Sequence, residues 1–500
     1  MRTRYAFVLL PLVAAFAFAQ GTATVVPGGG ARPGGPNPSQ APGIVFPPAG
    51  TVLGTFPTPT TTNPPTFSVG IFEADTDNAN NYVWMCEQVP LATPMGHNLY
   101  AVDFRTRTVA TSFAFGTTAP LPACGGFPAV ANPVGFTGVV HFTDGSLAST
   151  DYNGDVAAID DYLVNYDPVT RSLSNLWVLD SATGTCPATC RPNGNTNVPQ
   201  VRITNTLGVA QINTKPADPA GNQAIFVAAF FTPALPTPTN PNPVITRIAV
   251  TPGCPGTWQQ TATFIVPGCN QPSGLDWDPG LESMWLIDRN ATGAGNATYE
   301  FKYNRSTNTP TVVQGWPGNP SLYAIWVAGI HDADAGAGSP GQVWTGASSN
   351  NTIIRYDSGH SGLSFFTPAL GGPGTGSATV TVTDDPQNAN ASYIAAACFG
   401  VPAPGPISIQ DDRNIFLNVD TITLITLSLP NAPPLYSGFQ GIMSNPSPST
   451  RANPPTATIT FNVPALSGQT LGLALVTLGD PNLNVLGLKG FSVPFTFTLP

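Results

Sequence analysis

The chain has 500 residues, of which only 9% are charged, and a formal net charge of −10. Glycine and proline number 51 and 55, a density that opposes long helices because these are the two poorest helix formers. No basic run is present, so nucleic acid and anionic membrane are poor partners, and the length exceeds what one ordinary core serves.

Residues 1–19 read as a secretory signal peptide. Arg2 and Arg4 supply a positive start, residues 5–18 are apolar, and Ala17-Phe18-Ala19 is a small-x-small cleavage site. No later apolar run approaches the roughly 20 residues a membrane span needs. Export makes disulfides the expectation for the seven cysteines. Cys254 and Cys269 flank the hairpin-like CPGTWQQTATFIVPGC, and Cys186 and Cys190 stand close enough in CPATC to bridge within a turn. Closing a loop of about 15 residues is worth roughly 3 kcal/mol in the chain-entropy view. Cys86 with Cys124 is a further pairing, which leaves Cys398 buried or free. Residues 20–64 form a Pro/Gly/Thr-rich spacer, VVPGGGARPGGPNPSQAPG and then FPTPTTTNPPT, that cannot supply a core.

Between 65 and 370 one element recurs: an apolar strand, an aromatic or hydrophobic residue, Asp or Asn, and a polar turn. It appears as LYAVDFRTRT at Asp103, YLVNYDPVTRS at Asp167, YEFKYNRSTN at Asn304 and IIRYDSGHSG at Asp357, with a degenerate copy, ITRIAVTPG, at Ala249. Before each copy comes a Gly-led strand, a polar turn and a hydrophobic strand: GVVHFTDGSLAST, GVAQINTKPADPAGNQAIFVAAFF, GLDWDPGLESMWLID and, more loosely, AGIHDADAGAGSPGQVWTGAS. Multi-strand repeats of about 40 to 50 residues are the β-propeller signature, here lengthened by loops. The expected fold is all-β: a propeller of five blades, or six, followed by a small C-terminal β-sandwich over 371–500. In the sandwich segment, ATITFNV and VPFTFTL alternate apolar with polar residues, as half-buried strands do. DTITLITLSL reads as one of its strands.

In outline the repeats resemble NHL-like and SMP-30-like propellers, a grammar shared by many functions. The C-terminal run SYIAAACFGVPAPGPI, DDRNIFLNVDTITLITLSL, FQGIM and TATITFNVPALSGQTLGLALVTL resembles the C-terminal domain of secreted planctomycete-type proteins of unknown function. It departs from that pattern at Phe416, where Pro is usual, and lacks the Ser-Asn before the last strand. The resemblance implies secretion and architecture, and no catalytic group.

Candidate sites follow from the repeat. His141 and His331 fall near equivalent inner-strand places, which Gln211 and Asp276 take in two other copies. Residues ending the inner strands of a propeller converge at one channel mouth, so these four are the candidate ligand site. Imidazole there suits a transition metal, and carboxylate suits calcium. A water-filled channel lining is the alternative, and a one-residue shift replaces His331 by Asp332. Asp151, Asn153, Asp155 and Asp160 are a candidate calcium loop that departs from the EF-hand at Gly154, Val156 and Tyr162, with a solvated turn as the alternative. Glu73, Asp75, Asp77, Asn78 and Asn80 form a second acidic cluster. Trp277, Trp285, Trp316, Trp326 and Trp344 read as blade core. No GxSxG, HExxH or phosphate-binding loop occurs, and GHSG at 359–362 is one residue short of a nucleophile elbow. The expectation is a secreted, non-catalytic binding or scaffold protein of extracellular or cell-envelope components. The alternative is a propeller hydrolase or lyase with a channel-mouth metal.

Overall fold

The computed structural model describes residues 48–57, the strands named below between 71 and 251 together with Gly138 and Val139, and, with short gaps, residues 253–500. The described residues are β throughout except for one short helix and two single 3₁₀ turns. No described helix is long and apolar enough to cross a membrane.

Strand β1 (Val52–Pro57) comes first in the chain and joins the fifth sheet. The first sheet is β2 (Ile71–Asp77), β3 (Tyr82–Glu87), β4 (His97–Asp103) and β5 (Val109–Phe115). The second is β6 (Val140–His141), β7 (Leu147–Thr150), β8 (Asp161–Tyr166) and β9 (Leu173–Asp180). The third is β10 (Thr206–Ile212), β11 (Gln223–Ala229), β12 (Val244–Thr251) and β13 (Thr257–Phe264). The fourth is β14 (Pro272–Asp278), β15 (Ser283–Asp288), β16 (Thr298–Asn304) and β17 (Thr309–Trp316). The fifth is β18 (Leu322–Ala328), β19 (Gln342–Ala347) and β20 (Thr352–Asp357), completed by β1. Every pairing is antiparallel.

The sheets share several features. The recurring apolar-to-Asp/Asn element is the third strand each time, with β4 ending at Asp103, β16 at Asn304 and β20 at Asp357. The first strand carries a register shift near its start in four sheets: Ile71/Glu73, Thr206/Gly208, Pro272/Leu275 and Leu322/Ala324. Such a bulge sharpens the local twist. First strands also touch in turn: β2 meets β6, β6 meets β10, β10 meets β14, β14 meets β18, and β18 returns to β2. The second strands β7 and β15 are buried on both faces. All six residues of β15 are buried, and Trp285 joins Trp316, Val343 and Tyr356 in one cluster that spans the fourth and fifth sheets. Trp277, Trp285 and Trp316 are core, as their strand positions imply.

The C-terminal part adds β21 (Phe365–Leu370), β22 (Ser377–Thr383), β23 (Ser392–Phe399), β24 (Ile407–Ser408), β25 (Asn414–Ile415), β26 (Tyr436–Ser437), β27 (Gln440–Ile442), β28 (Thr456–Asn462), β29 (Thr470–Leu478), β30 (Leu488–Phe491) and β31 (Phe495–Thr498). One sheet runs β21-β22-β28-β26 and another β27-β23-β29-β30, with β31 also on β29. Alternate residues of β22 and β28 are buried, and they share a core with Tyr393, Ala395, Leu471, Leu473, Phe495 and Phe497 of the other sheet. The far face of β23 and β29 is covered too, by Ile415, Leu417 and Leu427. Burial on both faces at close quarters explains the small side chains of the AAAC run.

Three sequence expectations change. Residues 52–57, inside the stretch read as spacer, form β1, because backbone pairing with β20 supplies what the Pro/Thr-rich composition could not. Residues 365–370 pair with β22 rather than with the preceding sheets. DTITLITLSL is helix α1 (Thr421–Ser428) instead of a strand. Asp420 accepts the Thr423 N–H at 3.0 Å, and the Thr423 hydroxyl reaches back to Asp420 in a capping box. That cap overrides the β-branched composition. Thr423 also donates to the Ala397 carbonyl and Thr426 accepts from the Ala397 N–H. The helix thereby satisfies the part of β23 that β27 leaves uncovered.

Candidate functional site

The repeat places the channel-mouth candidates on first strands. In β2 Asp75 pairs with Trp84, in β6 His141 with Leu147, in β10 Gln211 with Ile225, in β14 Asp276 with Trp285, and in β18 Trp326 with Trp344. Asp75, Asp276 and Trp326 thus share one place, each opposite a second-strand tryptophan, whereas His141 and Gln211 stand opposite Leu147 and Ile225. His141, Gln211 and Asp276 were expected on inner strands and lie on first strands; Asp75 was not placed with them, although the Asp-x-Asp of Asp75 and Asp77 matches that of Asp276 and Asp278. The sequence reading also misaligned the fifth copy. β18 closes at Ala328, so Trp326 holds the equivalent position and His331 falls beyond the strand, outside the described residues. The glycine of AGIHD follows the first strand instead of leading it. Asp276 is buried, and its carboxylate accepts the Trp277 N–H at 2.8 Å.

Asp151, Asn153, Asp155 and Asp160 lie outside the described residues, as do Cys186, Cys190 and Cys254. Cys269 is buried beside Tyr299 and Phe264. The Cys86 thiol donates to the Gly138 carbonyl at 3.6 Å, while Cys398 is a free thiol buried within the C-terminal part. Of the second acidic cluster, Glu73, Asp75 and Asp77 belong to strand β2 and not to a loop. Among the described residues no group of three His, Cys, Asp or Glu is placed to hold a metal.

A second constellation was not legible in advance. Glu300 on β16 is completely buried, and four side chains donate to it. Ser283 donates to Oε1 at 2.7 Å and Gln387 at 3.3 Å, while Gln314 donates to Oε2 at 2.7 Å and His360 Nε2 stands 2.8 Å away. The other ring nitrogen of His360 faces Asp385 Oδ2 at 3.3 Å. Asp385 also accepts the Ser361 and Gln387 backbone N–H groups at 2.8 Å each. Trp285 meets the imidazole edge-on, with ring centroids 6.1 Å apart. GHSG is therefore a structural turn: Gly359 has φ +82°, and its neighbour His360 bridges two carboxylates.

Electrostatics follow from this geometry. Burial favours neutral imidazole, but Asp385 first and then Glu300 outweigh it, and the His360 pKa is pushed up to about 10. Burial alone would raise Glu300. The charge and hydrogen bond of His360, with the Ser283 and Gln314 donors, instead bring it down to about 2. Asp385 is lowered against its own burial by His360 and by backbone donors. Asp384, which lacks such a counter-charge, is raised by burial to about 6.

The sign of the pH dependence is then fixed. His360 contributes its full stabilisation below its ordinary pKa of about 6.5, and this is lost as pH rises toward 10. Glu300 contributes above its ordinary value, and its share is lost as pH falls toward 2. Asp384 acts oppositely, because its raised pKa removes stability as pH climbs to about 6. Chemical denaturation from pH 5 to 10 should show stability falling on the alkaline side, and His360→Gln should abolish the part of that decline above about pH 6.5. An unchanged slope in the variant would contradict the charged-imidazole assignment.

A third set of contacts ties the same region to the C-terminal part. Arg451 Nη1 donates to Asp357 Oδ1 at 2.9 Å and Oδ2 at 3.1 Å. Glu282, at φ 53° in the β14–β15 turn, accepts the Asp480 N–H at 2.7 Å and faces Lys489 at 3.9 Å.

No family model and no curated protein matches the chain. Three solved structures are similar in part. Hydrazine synthase of Kuenenia stuttgartiensis aligns at 11% identity over 63% of this chain and 62% of that one, with TM-score 0.27. PorZ, a surface component of the type-IX secretion system of Porphyromonas gingivalis, aligns at 10% identity over 86% of this chain and 45% of that one, with TM-score 0.31. An auxiliary nutrient binding protein of Bacteroides ovatus aligns at 11% identity over 60% and 64%, with TM-score 0.26. The chain covers less than two thirds of the length of each.

Proposed function

We propose that the protein is a secreted, non-catalytic binding or scaffold protein, built as a five-bladed β-propeller followed by a β-sandwich, that engages extracellular or cell-envelope components. The fold reading is supported by five equivalent four-stranded sheets whose first strands touch in a cycle that β18 closes on β2. The two C-terminal sheets that share one core support the sandwich.

The observation that carries the functional reading is the first-strand register. Opposite the second-strand tryptophans Trp84, Trp285 and Trp344 the first strands carry Asp75, Asp276 and Trp326, and opposite Leu147 and Ile225 they carry His141 and Gln211. A tryptophan repeated in three second strands serves packing, whereas polar side chains that differ from one first strand to the next suit recognition of an irregular polar ligand.

The test combines binding with metal analysis. Asp75→Asn with Asp276→Asn should weaken binding of the purified chain to isolated cell-envelope material at least about fivefold, or roughly 1 kcal/mol. Unaltered binding would remove the first-strand site. Stoichiometric metal that disappears in His141→Ala would instead support the hydrolase or lyase reading. For Asp151, Asn153, Asp155 and Asp160, a calcium-dependent rise in melting temperature, reversed by chelation, is the supporting result.

A further inference from the structure

We propose that the C-terminal sheets act as a clasp on strand β1, so that attachment of this strand to β20 depends on the Arg451–Asp357 contact. The first four residues of β1 are weakly held on their own account. Val52 is 54% exposed and Thr55 is exposed, while Leu53 and Gly54 are only half-buried. Its attachment is a backbone ladder to β20 from Val52↔Tyr356 to Pro57↔Thr352, with the Arg355 guanidinium donating to the Leu53 carbonyl at 3.2 Å. With Val52 exposed and Leu53 half-buried, the start of the strand has little apolar burial and opens easily unless it is fixed.

The fixing occurs at one end, around residues 357–360. The Gly50 N–H donates to the Asp357 carbonyl at 2.8 Å, and the Asp357 N–H donates to the Thr51 carbonyl at 2.9 Å. The backbone of Asp357 thus grips the start of β1, while its carboxylate is held from the opposite side by Arg451 and by the Gly359 N–H at 2.7 Å. Arg451 reaches the His360 carbonyl as well, at 3.5 Å. Within four residues, β1, the fourth sheet through Glu300 and Gln314, and the C-terminal part through Arg451 and Asp385 all converge. Asp357 is fully buried, with Arg451 13% exposed beside it, so removing Arg451 takes the counter-charge from a buried carboxylate. The backbone that carries Asp357 must then move, and the two hydrogen bonds to residues 50 and 51 move with it.

Hydrogen–deuterium exchange on the full chain tests this. Arg451→Gln should raise exchange of residues 50–57 and 352–357 about tenfold or more, with β10–β13 and the C-terminal core unchanged. Asp357→Asn should do the same, and the double variant should add little to either single one. Lys489→Ala breaks a contact on the same interface away from β1 and should leave β1 as in the wild type. Unchanged exchange at β1 in both seam variants overturns the proposal. So does a rise that Lys489→Ala reproduces or that spreads evenly through the chain. If Arg451→Gln does not fold, Arg451→Lys should show intermediate exchange confined to β1 and β20, and wild-type exchange in that variant would equally overturn it.

Discussion

His360→Ala is expected to destabilise the chain by about 3–5 kcal/mol, the range found when one partner of a buried charged group is removed. The loss is large because the imidazolium serves two carboxylates. Glu300 and Asp385 are both almost wholly buried, and without His360 one of them must take up a proton or open the site to water. The variant should therefore become more stable on mild acidification, as one carboxyl is neutralised, over a range in which the wild type gains nothing from that source. Glu300→Gln is the informative companion. An amide in that position still accepts from Ser283 and leaves His360 paired with Asp385, so it should cost less than His360→Ala. Urea titrations across pH decide the matter, and a loss below about 1 kcal/mol for His360→Ala would show that the charged triad holds little.

Gly438→Ala should be severely damaging in the C-terminal part, at about 3 kcal/mol or more from strain and overpacking together. Gly438 has φ +85°, which side chains rarely adopt, and a Cβ there would overlap the Thr458 carbonyl oxygen of β28. Neither fault can relax cheaply. The Gly438 N–H is held by Asn431 at 2.7 Å, and its carbonyl accepts the Tyr393 hydroxyl at 3.0 Å. These contacts tie β26 and β27 to β23. Thermal unfolding of the variant should show a marked fall in midpoint, whereas Gly468→Ala, at φ +80° with open space around its Cβ position, should show only the backbone penalty. Equal effects at the two glycines would refute the steric part of the account.

What could be read from sequence was whatever the chain repeats locally. The third strands announce themselves because an apolar run ends at Asp or Asn and a turn follows within a few residues. The first strands were legible where a glycine stands just before or near their start, and failed in the fifth copy, where Gly329 follows β18. α1 was missed because a single cap, Asp420 with Thr423, decided against eight residues of mainly β-favouring composition. The Glu300–His360–Asp385 group could not be seen in advance. Its members are far apart in the chain, and only the docking of the C-terminal sheets on the fourth and fifth sheets brings them together. Asp75 was visible as an acidic residue, but its equivalence to Asp276 required the register opposite Trp84 and Trp285.

The pairing of β1 with β20 also sets an order of assembly. The chain is made from its N-terminus, so β1 exists long before β20, its ladder partner among the described residues. The first four sheets draw on neighbouring segments and can form as they emerge, whereas the fifth must close a loop that spans most of the chain, at the entropic cost of a distant contact. Completion of that sheet is necessarily a late event in folding. A chain truncated before residue 352 would have four sheets with all their strands, an incomplete fifth, and an unpaired strand at its beginning. Such products should be recognisable by proteolysis that selectively removes residues before 58, while full-length chains resist it.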